Sequence, residues 1–465
     1  MQHLAQGYGA FATGIQADAL DGPVRRIVGL GFADCLAVLL CGAREDATLA
    51  LLTALGDTES GPCSLLLGQR RAQPETAALI NGTAAQALDY DDTGLEGHPS
   101  AVLVPAILAA AEEVGADGSA MLAGYVAGYE IWADLVERTT DRWHARGLHP
   151  TGYFGPLAAA AAAGRVYGLD GPRITHAIAI AASFSSGVVA NFGAMMKPVQ
   201  TGRAAEGGVR AARLARAGLT GAPDALDHPL GFLKAFGGAN PPATGWAGMG
   251  RPGARLARIG LNFKLHAICY AANRLGDAGC ALHAPVAQAT DGSFAVRRIV
   301  ARIGRDQSAP LRAHDPRTVL DARFSAQFAV AAGLIAGRIG LPEVSEPFLS
   351  RPEVRAAIRA TEIQLTEERD ADEPLFAPFD SVTVELDTGR ILESPPIRHA
   401  RGHFRNPPEE RQLRAKARDC MAAAGFDART SDTLFDLARH PERIIRAEEL
   451  RQVLADAHAG NSSAI

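Results

Sequence analysis

Through the first 261 residues Ala, Leu, Val and Ile recur at three- and four-residue spacing. A chain with that period can bury its apolar side chains only as helices packed on helices. The pattern predicts helices over 24–40, 76–88, 100–114, 121–135, 155–167 and 174–182, with Gly and Pro punctuating the intervals. Two of these segments are so rich in Ala that neighbouring backbones can approach closely.

The period then changes. In 293–304, Ile299, Ala301 and Ile303 alternate with Arg298, Val300 and Arg302, the two-residue repeat of a strand, and 362–367 carries a weaker version. In 381–393, Val382, Val384 and Leu386 alternate before a turn through 387–389, which predicts a hairpin. Helical patterns over 318–340 and 351–360 separate these strands, so 262–397 reads as a smaller α+β domain. From 406 to 459 amphipathic helix returns, and a disordered tail is expected over 460–465. The fold class that follows is mainly α.

A chain of 465 residues has material for two or three domains. The formal net charge is −5 and no basic tract is interleaved with aromatics, which argues against nucleic acid as a partner. The first residues, MQHLAQGYGAFATG, lack a cationic stretch followed by an apolar run, so no signal peptide is expected. Apolar segments such as 155–164 fall short of the roughly 20 residues that span a bilayer. A cytoplasmic protein without a membrane partner is the expectation. Six cysteines (Cys35, Cys41, Cys63, Cys269, Cys280, Cys420) are scattered without C-x-x-C spacing, which argues against a zinc site, an iron–sulfur cluster or a disulfide framework. Positive charge is almost all Arg, and Lys occurs only at Lys197, Lys234, Lys264 and Lys416. Lys197 and Lys264 stand in apolar segments. A compact ammonium is not interchangeable with a guanidinium, so these two positions are candidates for a role, with chance survival in an Arg-biased chain as the alternative.

The densest chemistry lies in 81–110, NGTAAQALDYDDTGLEGHPSAVLVPAILAA. Here Asp89, Asp91, Asp92 and Thr93 precede a His98-Pro99-Ser100 step, between two apolar helical patterns. His exchanges protons near neutral pH and Asp can orient it, so proton transfer on a ligand is one reading. Helix capping competes for Asp91, Asp92 and Thr93, and Pro99 suits a first helical turn. Carboxylates near a His also allow a divalent-metal reading. His149 lies in GLHPTGYFGPLAAAA, just before an Ala-rich helix. Gly152 and Gly155 permit close backbone approach at the helix start, which would favour an anion there, and a core or capping His is the alternative. Lys197, among Phe192, Met195, Met196 and Pro198, needs a carboxylate from a ligand or from the protein to compensate its charge. Arg203 is a weaker candidate, since a solvated Arg on a helix face is common.

Together, the 81–110 stretch, GLHPTGYFG and NFGAMMKPVQTGRAA closely resemble the signature of the MmgE/PrpD family, which contains 2-methylcitrate dehydratases, cis-aconitate decarboxylases and an iminodisuccinate epimerase. The resemblance implies a large all-α domain, 1–261 and 398–465, with 262–397 inserted as an α+β lid and a ligand bound in the cleft. It implies that Asp89, Thr93, His98 and His149 line the site and that Lys197, with Lys264 at the lid hinge, holds substrate carboxylates. Arg203 and His266 are further candidate contacts. A homodimer formed through the all-α domain is also implied, as is the absence of any cofactor or metal. The chain departs from the family where Gln200 replaces a His, where Asn273 replaces another, and at Cys269 and Phe328, which align with a His and a Tyr of the decarboxylases.

The leading expectation is a cofactor-independent lyase of the 2-methylcitrate dehydratase type. His149 or His98 would remove a proton next to a carboxylate of a small polycarboxylate, Lys197 would meet the accumulating charge, and the other His would protonate the leaving hydroxyl. An epimerase or isomerase of a dicarboxylate comes next, then a decarboxylase, and from a different class a ligand-binding paralogue without turnover.

Overall fold

The computed structural model describes residues 2–55, 61–139, 143–237, 245–290 and 295–462. Two compact units form, one from Met1–Leu261 with Cys420–Ile465 and one from Asn262–Asp419. The fold is mainly α, as the periodicity predicts.

In the first unit every expected helix is present: Gly22–Gly42, Pro74–Ala87, Pro99–Val114, Gly118–Arg138, Pro150–Val166 and Gly171–Ala181. Asp21, Asp117 and Asp170 cap three of them, accepting hydrogen bonds from the amides of Val24, Ala120 and Arg173. Pro74, Pro99 and Pro150 open the other three, where a missing N–H leaves nothing unsatisfied.

A further long helix, Met196–Arg216, is not evident from apolar spacing. Its sequence carries three interior glycines and few large apolar residues, and each interior Gly costs about 1 kcal/mol of helix propensity. Packing explains them. A Cβ at Gly202 would overlap the Leu79 carbonyl oxygen, and one at Gly208 would overlap Ala159. The bare backbones therefore let Met196–Arg216 lie directly on Pro74–Ala87 and on the Ala-rich Pro150–Val166 helix. That crossing sets Thr201 beside Gln86. A two-residue antiparallel pair, Cys63–Ser64 with Arg71–Ala72, is a small addition that the sequence pattern did not suggest.

The second unit holds a four-stranded sheet in the order Thr361–Thr366, Val296–Gly304, Ser381–Leu386, Ile391–Glu393. The first pair is parallel, with Ile299 opposite Thr361, and the others are antiparallel. Ile299, Ala301 and Ile303 are buried, as are Val382, Val384 and Leu386, so the alternation read from sequence marks the inner face. Ser293 and Phe294, placed in the first strand by the pattern, lie outside the described residues. The expected helix over 318–340 is two helices, Val319–Arg323 and Ala326–Ala336. Ser325 between them is extended and its hydroxyl accepts the amide of Phe328, starting a new helix where the apolar period runs on unbroken.

The second unit runs to Asp419, past the return at 398 read from the sequence. Its last part is tied to the rest of that unit by Arg398 on Asp370 (2.8 Å), Arg401 on Asp277 (2.6 Å) and His403 on Glu373 (2.7 Å). Residues 460–462 of the expected disordered tail close the Glu448–Ser462 helix, and 463–465 lie outside the described residues. Among the described residues, no single helix is long and apolar enough to cross a membrane.

Candidate active site

The stretch 81–110 folds as helix, loop, helix. After Pro74–Ala87 ends, Asp89 takes a left-handed backbone (φ +49°), which Asp tolerates better than most residues. Gly94 and Gly97 then exchange both backbone hydrogen bonds, at 3.0 and 2.8 Å, around Leu95 and Glu96 at φ +54° and +58°. This is a hairpin turn built on two non-glycine residues, a strained conformation of the kind that clusters at functional sites. It turns the chain back so that His98 faces Asp91.

The loop's polar side chains divide into structural and clustered groups. The Thr93 hydroxyl donates to the Gly97 carbonyl (2.8 Å) and so holds the turn. Asp92 accepts the amide of Ser100 (3.3 Å) in the first turn of Pro99–Val114, which is the capping role. Burial, aided by Asp34 and Asp91, pushes its carboxyl up to about 8, so it is neutral at neutral pH.

Asp89, His98, His149 and Lys197 come together. Lys197 Nζ lies 2.8 Å from Asp89 Oδ2, with both side chains buried. The ammonium also sits 5.2 Å from the centre of the Phe192 ring. His98 Nδ1 donates to Asp91 Oδ2 (2.8 Å), and its Nε2 receives the Gln86 amide (3.2 Å), whose own oxygen accepts the Thr201 hydroxyl (3.0 Å). His149 packs its ring edge-on against Phe192, centroids 4.9 Å apart, and stands 6.4 Å from the His98 ring. Its Nδ1 donates to Gln200 Oε1 (2.7 Å). Burial, then the charges of His98 and Lys197, hold the His149 imidazole well below the usual histidine range, so it is neutral at neutral pH. The same causes bring half-buried His144, 6.1 Å from Phe192, down to about 4.

The other candidates make contacts of their own. Arg203 is exposed on the outer face of Met196–Arg216 and pairs with Glu206, because six residues past Lys197 a helix presents its opposite side. Lys264 and His266 belong to the second unit. There Lys264 is buried, and His266 Nε2 meets Asp277 Oδ1 (2.8 Å), a carboxylate also held by Arg401. The close approach expected at Gly152 and Gly155 is made by protein rather than left for an anion. A Cβ at Gly152 would overlap the Ser186 carbonyl, and one at Gly155 would lie 2.9 Å from the Ala204 Cβ.

Asp89, Asp91 and His98 carry donor atoms within 4.8 Å of one another, the geometry behind the divalent-metal reading. Two of those donors are already satisfied: the Lys197 ammonium meets Asp89, and the hydrogen on His98 Nδ1 meets Asp91. The trio thus fits an ammonium and a proton.

Sequence reasoning passed over Gln86, Thr201 and His144, and treated Gln200 only as a departure. One signal was available: Gln200 and Thr201 lie three and four residues past Lys197, on the same helix face.

A sequence profile of the MmgE/PrpD N-terminal domain matches residues 6–244, and that of the MmgE/PrpD C-terminal domain matches 266–436. The chain belongs to the MmgE/PrpD family. Among its relatives, the cis-aconitate decarboxylase of Homo sapiens is 28% identical over 361 residues, covering 75% of this chain and 73% of that protein. A cis-aconitate decarboxylase-like protein, oryM of Aspergillus oryzae, is 28% identical over 393 residues, covering 77% and 79%. The buried Asp89–Lys197 pair and the two histidines of this MmgE/PrpD member fall inside the N-terminal match.

Proposed function

We propose that this MmgE/PrpD protein is a cofactor-independent lyase of the 2-methylcitrate dehydratase type, acting on a small polycarboxylate. The observation that carries the reading is a neutral imidazole, His149, sharing the Phe192 ring with a buried ammonium, Lys197. Removing a proton from carbon next to a carboxylate builds negative charge on that carboxylate, and a fixed cation in a water-poor site meets it without reorganisation. Lys197 supplies the cation, and Asp89, 2.8 Å from its Nζ, holds it in place. His149 takes the proton on Nε2. As the C–H bond breaks, its electron pair forms the double bond, the C–O bond on the neighbouring carbon breaks, and water leaves. We assign protonation of that leaving hydroxyl to His98. For this His98 first takes a proton from water on Nε2, where the Gln86 amide gives way, and becomes an imidazolium paired with Asp91. It passes that proton to the leaving hydroxyl, and His149 returns its own proton to water after product leaves.

A second reading is decarboxylation, which the cis-aconitate decarboxylase relatives favour. In that case a C–C bond breaks, carbon dioxide leaves, and a histidine returns a proton to carbon. Incubating the protein with a panel of di- and tricarboxylates in deuterated water separates the readings. Dehydration gives an unsaturated product lighter by one water. Decarboxylation releases carbon dioxide, and epimerisation introduces deuterium without loss of mass. No turnover and no exchange on any member of the panel would overturn the lyase reading.

A further inference from the structure

We infer that Gln200 is a positioning residue that locks His149 in the tautomer with hydrogen on Nδ1, so that Nε2 carries the lone pair offered to substrate. The amide of Gln200 is oriented by its other end: Nε2 donates to the Val188 carbonyl (3.1 Å), which turns Oε1 toward His149 Nδ1 at 2.7 Å. A carbonyl oxygen only accepts, so Nδ1 must hold the hydrogen.

The backbone around the amide is arranged for this contact. Val188 is bridged antiparallel to Leu148, the amide of His149 donates to Gly187 O (3.3 Å), that of Val189 to Gly147 O (2.9 Å), and that of Ser186 to Gly152 O (3.0 Å). The Val188 carbonyl is therefore fixed relative to the histidine it helps to orient. Gly187 adopts φ +137°, and a Cβ there would lie 2.8 Å from Gln200 Oε1. Only glycine leaves room for the amide at that point.

An amide is the suitable group at this position. A carboxylate would also fix the tautomer, but its charge would favour the imidazolium, which cannot take a proton. Among the described residues, the groups that lower the His149 pKa most are His98, Lys197 and His144, with the Gln200 hydrogen bond opposing them. The neighbouring carboxylates, Asp89 and Asp91, are engaged by Lys197 and His98. One face of the Met196–Arg216 helix thus supplies both the cation, from Lys197, and the tautomer, from Gln200 three residues later.

The tautomer is a property of the geometry, whereas the use of Nε2 as the base rests on the lyase reading. The test reads the two separately. In protein labelled with ¹⁵N-histidine, two-bond proton–nitrogen correlation spectra identify the His149 ring by its loss in a His149→Gln variant. The expected wild-type pattern is a protonated Nδ1 and an unprotonated Nε2, persisting to below pH 6.5. Gln200→Glu should keep that tautomer and move the titration to higher pH. Gln200→Leu should shift hydrogen onto Nε2. In turnover, His149 protonates as pH falls, so the acid limb of kcat/KM should move up in Gln200→Glu. In Gln200→Leu, kcat should fall at least about tenfold with KM little changed. A wild-type His149 protonated on Nε2, or an unchanged tautomer in Gln200→Leu, overturns the inference whatever the substrate is. The expected tautomers with no turnover on any polycarboxylate support the inference and count against the lyase reading alone.

Discussion

Lys197 and Asp89 are buried 2.8 Å apart, so removing either strands the other's charge away from water. A lysine compensated only by substrate would leave the free protein little changed when deleted. The Asp89 contact reverses that expectation. Lys197→Ala should lower stability by about 3 kcal/mol, the usual result of breaking one half of a buried pair, and reduce turnover on the order of a hundredfold or more. Adding Asp89→Asn to Lys197→Ala should recover most of the lost melting temperature, because no charge is then stranded, and none of the turnover. Thermal melts and kcat/KM on the two single variants and the double variant check this. A double variant that regained turnover would reduce Lys197 to a counterion for Asp89. At this scale the sequence singled out Asp89, His98, His149 and Lys197, which the structure brings together, partly because ionisable residues are rare inside apolar patterns and partly through the family resemblance. Gln86, Gln200 and Thr201 were not, since a neutral polar side chain on a helix looks the same in sequence whether it faces water or a histidine.

The elements themselves were legible wherever Ala and larger apolar residues carried the period. Met196–Arg216 escaped because its contacts are made by Gly202 and Gly208, which register as absences in a hydrophobic pattern and become informative only when the facing helix is known. Ser325 escaped for the opposite reason: apolar spacing continues through it, and a capping hydroxyl interrupts the helix without interrupting the pattern. The close crossing at Gly202 can be tested. Alanine there would gain about 1 kcal/mol of helix propensity but place its Cβ against the Leu79 carbonyl and the Thr83 hydroxyl, and overpacking of that kind typically costs about 1–3 kcal/mol. Gly202→Ala should therefore lower the melting temperature and, by prising Thr201 from Gln86, reduce activity as well. Gly14→Ala, whose Cβ would meet nothing within 4 Å, is the control expected to leave stability unchanged or improved. Equal melting temperatures for the two variants would mean that the crossing is looser than the structure shows.

For the molecule as a whole, the sequence pattern shows helices, then strands, then helices, but does not say which helices share a core. The joining of the last helices to the first domain came from family resemblance. That reading set the return at 398, whereas in the structure the segment that belongs to the unit built from Met1–Leu261 is Cys420–Ile465. The Ala428–Ala438 helix lies close enough to Gly22–Gly42 that a Cβ at Gly29 would overlap the Arg439 carbonyl. The amide of Gly118 donates to Ile444 O (2.8 Å), and a side chain at Gly118 would overlap the Pro441 carbonyl. Leu434, Phe435, Leu450 and Leu454 are buried. Burying side chains of this size stabilises by about 1.5–3 kcal/mol each, so the segment contributes several kcal/mol, a large part of the 5–15 kcal/mol by which folded proteins exceed their unfolded states. Residues 420–465 carry none of the Asp89, His98, His149 and Lys197 cluster, yet their deletion should abolish activity through loss of the unit that holds it. A chain ending at Asp419 should be recovered aggregated, or melt far below the full chain, and supplying 420–465 as a separate polypeptide should restore part of the cooperative transition. A truncated chain with an undiminished melting temperature would show that the helical unit is complete without its C-terminal return.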